Sequence, residues 1–321
     1  MNNSLQWGIL GTGVIARKFA DQLRATDRGV LIATGSRSPD SARQFAAEFG
    51  GTAHDSYDAL IADPRVAAVY VSLPNHLHHE WTIKALQAGK HVLCEKPFAK
   101  NAVQAHEMFA AAAQAGRVLV EGFMYRCLPV VRNFIQTVHS GVIGEVKLIR
   151  ANFTFCRPVL DTDARYKPEM AGGSLMDVGA YCVNLTRALA GREPTEMRVF
   201  GHVHEKGVDD YTAGIMRFGS RLLSTFTSGM TVESDRTVFV GGTEGWLAID
   251  FPWLLAESFD LVKGGQRQTI RVPTPKPVFA LEAEAFAEAV QTGAEPWITR
   301  ADTLGNMRAL DELRRQIGLP A

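Results

Sequence analysis

Gln6-Trp7-Gly8-Ile9-Leu10-Gly11-Thr12-Gly13-Val14-Ile15-Ala16 reads as a short apolar strand, a glycine turn and the start of a helix. The first glycine permits the tight turn. The second lets an anionic group approach the free N–H groups at the helix N-terminus, where the helix dipole favours negative charge. Ala16 stands where a third glycine is common, and its methyl still allows the helix to pack closely on the strand. Outward from this unit, apolar strands at 30–35, 67–72, 91–94 and 118–120 alternate with helical patterns at 14–25, 41–49, 79–88 and 102–115. That alternation implies a parallel, doubly wound sheet with helices on both faces.

The pattern then changes. Strand-like stretches follow at 146–155, 197–203, 212–218, 222–230, 237–240, 246–251, 258–262 and 269–272. Gly219-Ser220 and Gly264-Gly265 read as two-residue hairpin links. A helix at 175–189 and closing helices at 279–290 and 301–317 complete the chain. The expected fold class is an α/β N-terminal Rossmann domain over 1–122. An α+β C-terminal domain over 123–321 would carry a large, mainly antiparallel, open-faced sheet. The terminal helices are candidates to pack back on the first domain.

Lys+Arg and Asp+Glu both number 34, so the net charge is zero and no basic surplus points to nucleic acid. No apolar run reaches membrane-spanning length. Strand 1 begins too early for a cleaved signal to precede it, which implies a cytoplasmic protein. Cys94, Cys127, Cys156 and Cys182 form no CxxC pair and read as free thiols of a reducing compartment.

Choice of cofactor turns on the end of strand 2, where an NAD site usually offers a carboxylate to the ribose. Here the tip reads Gly35-Ser36-Arg37-Ser38, with no acid before Asp40. Hydroxyls and a guanidinium suit a 2′-phosphate, so NADP(H) is expected over NAD(H). Gly11, Thr12, Gly13, Val14 and Ile15 would line the pyrophosphate, with Ser36, Arg37 and Ser38 at the adenosine end.

Downstream, Glu95-Lys96-Pro97 follows the strand at 91–94, at the sheet edge where α/β folds place ligands. The glycine turn and this tripeptide together resemble the Gfo/Idh/MocA family of NAD(P)-dependent sugar and polyol oxidoreductases, over nearly the full chain. The resemblance implies that Lys96 is catalytic and that Glu95 and Pro97 border the cofactor. It also implies that the loop Leu73-Pro74-Asn75, with His78, borders that site. His76, His78 and His79 invite a metal reading, but the acid and cysteine ligands of a zinc site are missing, and none is expected.

In the second half, Gly172-Gly173-Ser174-Leu175-Met176-Asp177-Val178-Gly179-Ala180-Tyr181 opens a helix with Asp177 and Tyr181 on one face. One branch of the family carries His at the second of these positions. Tyr181 instead resembles the branch of dimeric dihydrodiol dehydrogenase and NADP-dependent D-xylose dehydrogenase. The implied roles are Tyr181 for proton exchange, Lys96 for tuning it, and Asp177 for orientation. Tyr125, Arg126, Arg165, Tyr166, Trp253 and Phe279 are candidate substrate contacts, core packing being the alternative for each aromatic.

The resulting expectation is an NADP-dependent dehydrogenase or reductase acting on a sugar, polyol or trans-dihydrodiol. Its alternatives are a keto-sugar, nucleotide-sugar or anhydrofructose reductase, and a non-catalytic NAD(P)-sensing regulator. A hydrolase with internally recycled NAD is disfavoured by the tip of strand 2. A sheet with helices on only one face leaves an apolar face, and the family resemblance implies that two such faces pack together as a homodimer.

Overall fold

A computed structural model describes residues 4–320. The chain forms two compact units. One holds the chain up to Cys127 together with Pro275–Thr303, and the other holds Leu128–Thr274 and the chain from Leu304 onward.

The first unit contains strands β1 (Leu5–Leu10), β2 (Gly29–Gly35), β3 (Thr52–His54), β4 (Ala68–Val71), β5 (His91–Glu95) and β6 (Leu119–Gly122). All pair in parallel in the order β3-β2-β1-β4-β5-β6. Helices α1 (Val14–Leu23), α2 (Pro39–Phe49), α3 (Tyr57–Ala62), α4 (His78–Gln87) and α5 (Ala102–Ala115) connect them. Strand order reverses between β1 and β4, the kind of crevice where such sheets bind ligands. Trp7, Phe19 and Tyr70 form the aromatic centre, Phe19 stacking on Tyr70 at 3.9 Å between centroids.

The second unit opens with α6 (Pro129–His139) and β7 (Val146–Thr154). A helix at 175–189 was expected; the chain instead forms a π-helical turn, Leu175–Gly179, running into α7 (Ala180–Ala190). Strands β8 (Glu196–Val203), β9 (Asp209–Phe218), β10 (Leu222–Gly229), β11 (Thr237–Gly242), β12 (Gly245–Asp250), β13 (Ser258–Lys263) and β14 (Gln266–Arg271) follow. With β7 they form an eight-stranded sheet in the order β14-β13-β12-β11-β7-β10-β9-β8. Only the β7–β10 pair is parallel. The β9–β10 link has three residues, 219–221, because Phe218 pairs with Leu222. Gly264-Gly265 is a two-residue turn as expected, with Lys263 paired to Gln266.

One face of this sheet packs on α7, and alternation along β9 leaves Tyr211, Ile215 and Arg217 outward. Phe200, Leu148 and Leu223 share the exposed side, Leu223 pairing across the ladder with Leu148. Two last helices, α8 (Val278–Thr292) and α9 (Arg300–Gln316), end the chain. Helix α8 lies in the first unit, its Phe279 and Phe286 against Phe19 and Trp7. Among the described residues no helix is long and apolar enough to cross a membrane.

Candidate active site

The carboxyl ends of β1, β2, β4 and β5 bring the expected cofactor residues to one edge of the first unit. Gly11 has φ +100, and a side chain there would press on the Ser72 carbonyl and Leu73 at 3.2 Å. The turn therefore needs glycine because the β4 loop closes over it. Ser72 fixes that closure, donating from N and Oγ to the Leu10 carbonyl at 3.2 and 2.9 Å. The space beyond is open. A Cβ at Gly13 would meet nothing within 4 Å, and no side chain caps the first amides of α1. Val14 and Ile15 lie exposed beside it.

At the β2 tip, Ser36 Oγ accepts from Ser38 N, and Ser38 Oγ accepts from Ser41 N to cap α2. Arg37 donates to the Tyr57 phenol, whose pKa is raised by burial and drawn back by that guanidinium. Tyr57 lies on α3, an element the sequence reading did not foresee. It gives Arg37 an uncharged partner.

Lys96 follows β5 directly and is half-buried. The Lys96–Pro97 peptide is cis. Carboxylates brace this segment: Glu95 accepts from the Tyr70 hydroxyl and from Lys96 N at 3.2 Å, and Glu121 accepts from Phe98 N at 3.2 Å. His78 is fully buried, its two ring nitrogens 2.9 and 2.7 Å from the Pro97 and Leu73 carbonyls. Burial lowers its pKa, while the Leu73 and Pro97 carbonyls that face its two nitrogens pull the other way. His79 pairs instead with Glu107 at 2.6 Å. Glu282 of α8 is also buried, with no hydrogen-bond partner on either oxygen. Burial, then the nearby Glu95 charge, raises its pKa well above the usual carboxylate range. It shares with Glu121 and Trp297 the lining of a cavity of about 20 Å³, room for about one water.

In the second unit Asp177 stands in the π-helical turn and Tyr181 in the first turn of α7. Tyr181 is nearly buried and meets two rings edge-on, Phe153 at 5.3 Å and Trp253 at 5.9 Å. Trp253 and Phe153 are themselves stacked at 5.3 Å, and the indole N–H donates to the Asn152 carbonyl. This rigid aromatic wall fixes the phenol ring. Arg165 reaches Asp177 at 3.8 Å while forking onto Asp163, with its Nη2 2.7 Å from the carboxylate. Asp177 therefore has a cationic neighbour that is itself anchored.

The other substrate candidates fall in different places. Tyr166 is buried with Val208 and Met230, its ring edge on His204. Tyr125 is fully buried beside Phe123, and Arg126 is paired to Asp302 at 3.2 Å. Phe279 takes the core-packing alternative, its ring covering Phe19 of α1 in the first unit.

Comparison with known proteins bears on the whole chain. Residues 5–123 match the model of an oxidoreductase family with an NAD-binding Rossmann fold, and 131–248 match a Gfo/Idh/MocA C-terminal domain. A relative from Haloferax volcanii, D-xylose 1-dehydrogenase (NADP(+)) 2, is 33% identical over 315 residues, 96% of each chain. The chain belongs to the Gfo/Idh/MocA family of oxidoreductases. Mouse trans-1,2-dihydrobenzene-1,2-diol dehydrogenase is 29% identical over 98% of both chains. Among solved structures, an aldose-aldose oxidoreductase from Caulobacter crescentus superposes with TM-score 0.91 at 28% identity, covering 98% of this chain and 97% of its own. A 3-ketoreductase from Actinomadura kijaniata, in complex with NADP and TDP-benzene, gives 0.88 at 29% identity and 98% coverage of both. The family and fold implied by the glycine turn and Glu95-Lys96-Pro97 hold along the chain. So does its assignment to an oxidoreductase family.

Proposed function

We propose that this Gfo/Idh/MocA protein is an NADP(H)-dependent oxidoreductase of a sugar, polyol or trans-dihydrodiol. The observation that carries the cofactor choice is Arg37, held by the neutral Tyr57 at a β2 tip that bears no acid. The NADP in the names of two whole-length relatives supports the same reading. Gly11 to Ile15 would hold the pyrophosphate, and Leu73 to Asn75 would border the cofactor from the β4 loop. The nicotinamide, when bound, supplies hydride exchange with the substrate carbon.

Tyr181 Oη takes or gives the proton of the substrate hydroxyl. A free phenol has a pKa of about 10, so a proton-accepting role near neutrality needs a cation, and Lys96 is assigned to supply it. Asp177, steadied by Arg165, orients the substrate. A keto-sugar reductase running the reverse direction at the same groups is the second reading, favoured by the Actinomadura relative. A regulator that only senses cofactor would have no use for this set of proton-handling residues. The four free thiols suit a reducing cytoplasm.

Arg37→Ala should weaken NADP binding by about 1–3 kcal/mol and leave NAD binding almost unchanged, because one charge-assisted contact is lost. Titration of each cofactor checks this. Equal losses for both would sink the assignment. The activity itself is tested by the absorbance of reduced nicotinamide, offering NADP with aldoses, polyols and dihydrodiols, then NADPH with keto-sugars.

The assembly proposed is a homodimer through the open sheet face. Phe200, Ile215, Leu223 and Leu148 form an exposed apolar stripe on one side of β8, β9, β10 and β7. A sheet whose other face is covered by helices gains most by packing this stripe on a copy of itself. Light scattering should return the mass of two chains, and Ile215→Lys should return one. A wild-type monomer at micromolar concentration would refute it.

A further inference from the structure

Behind the turn that bears Asp177 lies a buried polar chain that the reaction does not account for. Asp209 opens β9 and is fully buried. Its Oδ2 accepts from Ser174 Oγ at 2.6 Å and from Leu175 N at 2.7 Å, the residues that begin the π-helical turn. Ser174 Oγ continues to Ser228 Oγ at 3.0 Å, and Ser228 to Thr212 Oγ1 at 2.7 Å. Asp209 Oδ1 is buried with no hydrogen-bond partner. Gly173 lies so close that an added Cβ would stand 2.2 Å from that oxygen. One oxygen thus holds the turn, and the other is pressed against its backbone.

We propose that Asp209 is a positioning residue for Asp177 and Tyr181, its carboxylate latching the π-helical turn that bears Asp177 and runs on into the α7 turn of Tyr181, and releasing it when the charge is lost. A carboxylate accepts two donors strongly on one oxygen, whereas a neutral acid accepts them weakly. The shift must reach Tyr181, because the π-helical turn runs into α7 without a break.

Burial pushes the Asp209 carboxyl up to about 6, against the pull of Ser174, the Leu175 N–H and the Arg314 charge. Arg314 on α9 is the cation facing it, with Asp311 beside that arginine. Asp210 is spent on His202 and Thr231. The folded protein holds this proton more tightly than the unfolded chain, whose ordinary value is 3.8. The stability it contributes is therefore full below that value and lost as pH rises through about 6. Function runs the other way, since the latch closes as the proton leaves.

The proposal rests on Tyr181 as the proton-exchanging group, but its first readout needs no turnover. In protein labelled with fluorotyrosine, the Tyr181 resonance is identified by its loss in Tyr181→Phe. It should titrate with a midpoint near 6 in the wild type and stay fixed in Asp209→Asn. Ser174→Ala removes a donor that stabilises the charge, so the midpoint should move upward. In kinetics, Asp209→Asn should lower kcat roughly 10- to 100-fold above neutrality, erase the acid limb and leave KM for NADP unchanged. An identical titration in Asp209→Asn overturns the proposal, as does wild-type kcat with the limb intact. If Asp209→Asn does not fold, an unmoved midpoint in Ser174→Ala overturns it alone. A wild type without turnover on any substrate defeats the proposed function, and the fluorine titration still decides this one.

Discussion

Tyr181→Phe should fold, bind NADP with unchanged affinity and turn over roughly 10²–10⁴ times more slowly, the usual range for losing a general acid–base group. The variant isolates the hydroxyl because the ring is held by its edges. Phe153 and Trp253 meet it at interplanar angles of 74° and 70°, and a phenylalanine keeps both contacts. Lys96→Met keeps the half-buried stem and removes the charge, and turnover should again fall. If phenol and ammonium act as one unit, the double variant should lose little beyond the worse single one. Near-normal turnover of Tyr181→Phe on a confirmed substrate would show that the proton leaves by another group. Lys96 is then the next to test.

Local chemistry decided which parts of this protein were legible in its sequence. The strand, glycine turn and helix at 5–23 obey a pattern that few other arrangements satisfy, and Glu95-Lys96-Pro97 sits where a parallel strand must end. Strand β3 and helix α3 were missed because three and six residues are too short to show a period. That miss hid Tyr57, and with it the partner of Arg37. Helix α6 did announce itself: Pro129 stands at its first position, and Val130, Phe134 and Val138 recur every fourth residue.

Some of the site was not legible by any local rule. His78 reads as one of three histidines in a loop, and only the fold shows its ring nitrogens set between the Leu73 and Pro97 carbonyls. Glu282 lies in an otherwise ordinary helical pattern, and its burial without a partner depends on where α8 lands. Asp209 and Asp210 look alike in sequence. Alternation along β9 sends one to the π-helical turn and the other to His202, and nothing nearby in the chain says which.

The glycine pair before Asp177 carries the strongest structural expectation. Gly173→Ala should cost about 3 kcal/mol or more in denaturant unfolding, well beyond an ordinary left-handed glycine. At φ +112 the backbone lies where side chains are strained whatever the surroundings, and the new methyl would stand 2.2 Å from Asp209 Oδ1. That carboxylate cannot swing aside cheaply, because its other oxygen holds Ser174 and the Leu175 N–H. Nor can the glycine retreat: its N–H donates to the Arg165 carbonyl at 2.9 Å, and a Cβ on Gly172 would already meet that carbonyl at 2.3 Å. Gly116→Ala is the control. It ends α5 at φ +62 with nothing within 4 Å of an added Cβ, so only the conformational strain of about 1–2 kcal/mol is due. The difference between the two variants isolates the contact with Asp209. Equal losses would mean that the turn gives way freely, and a turn that gives way freely could not hold Asp177 and Tyr181 in register.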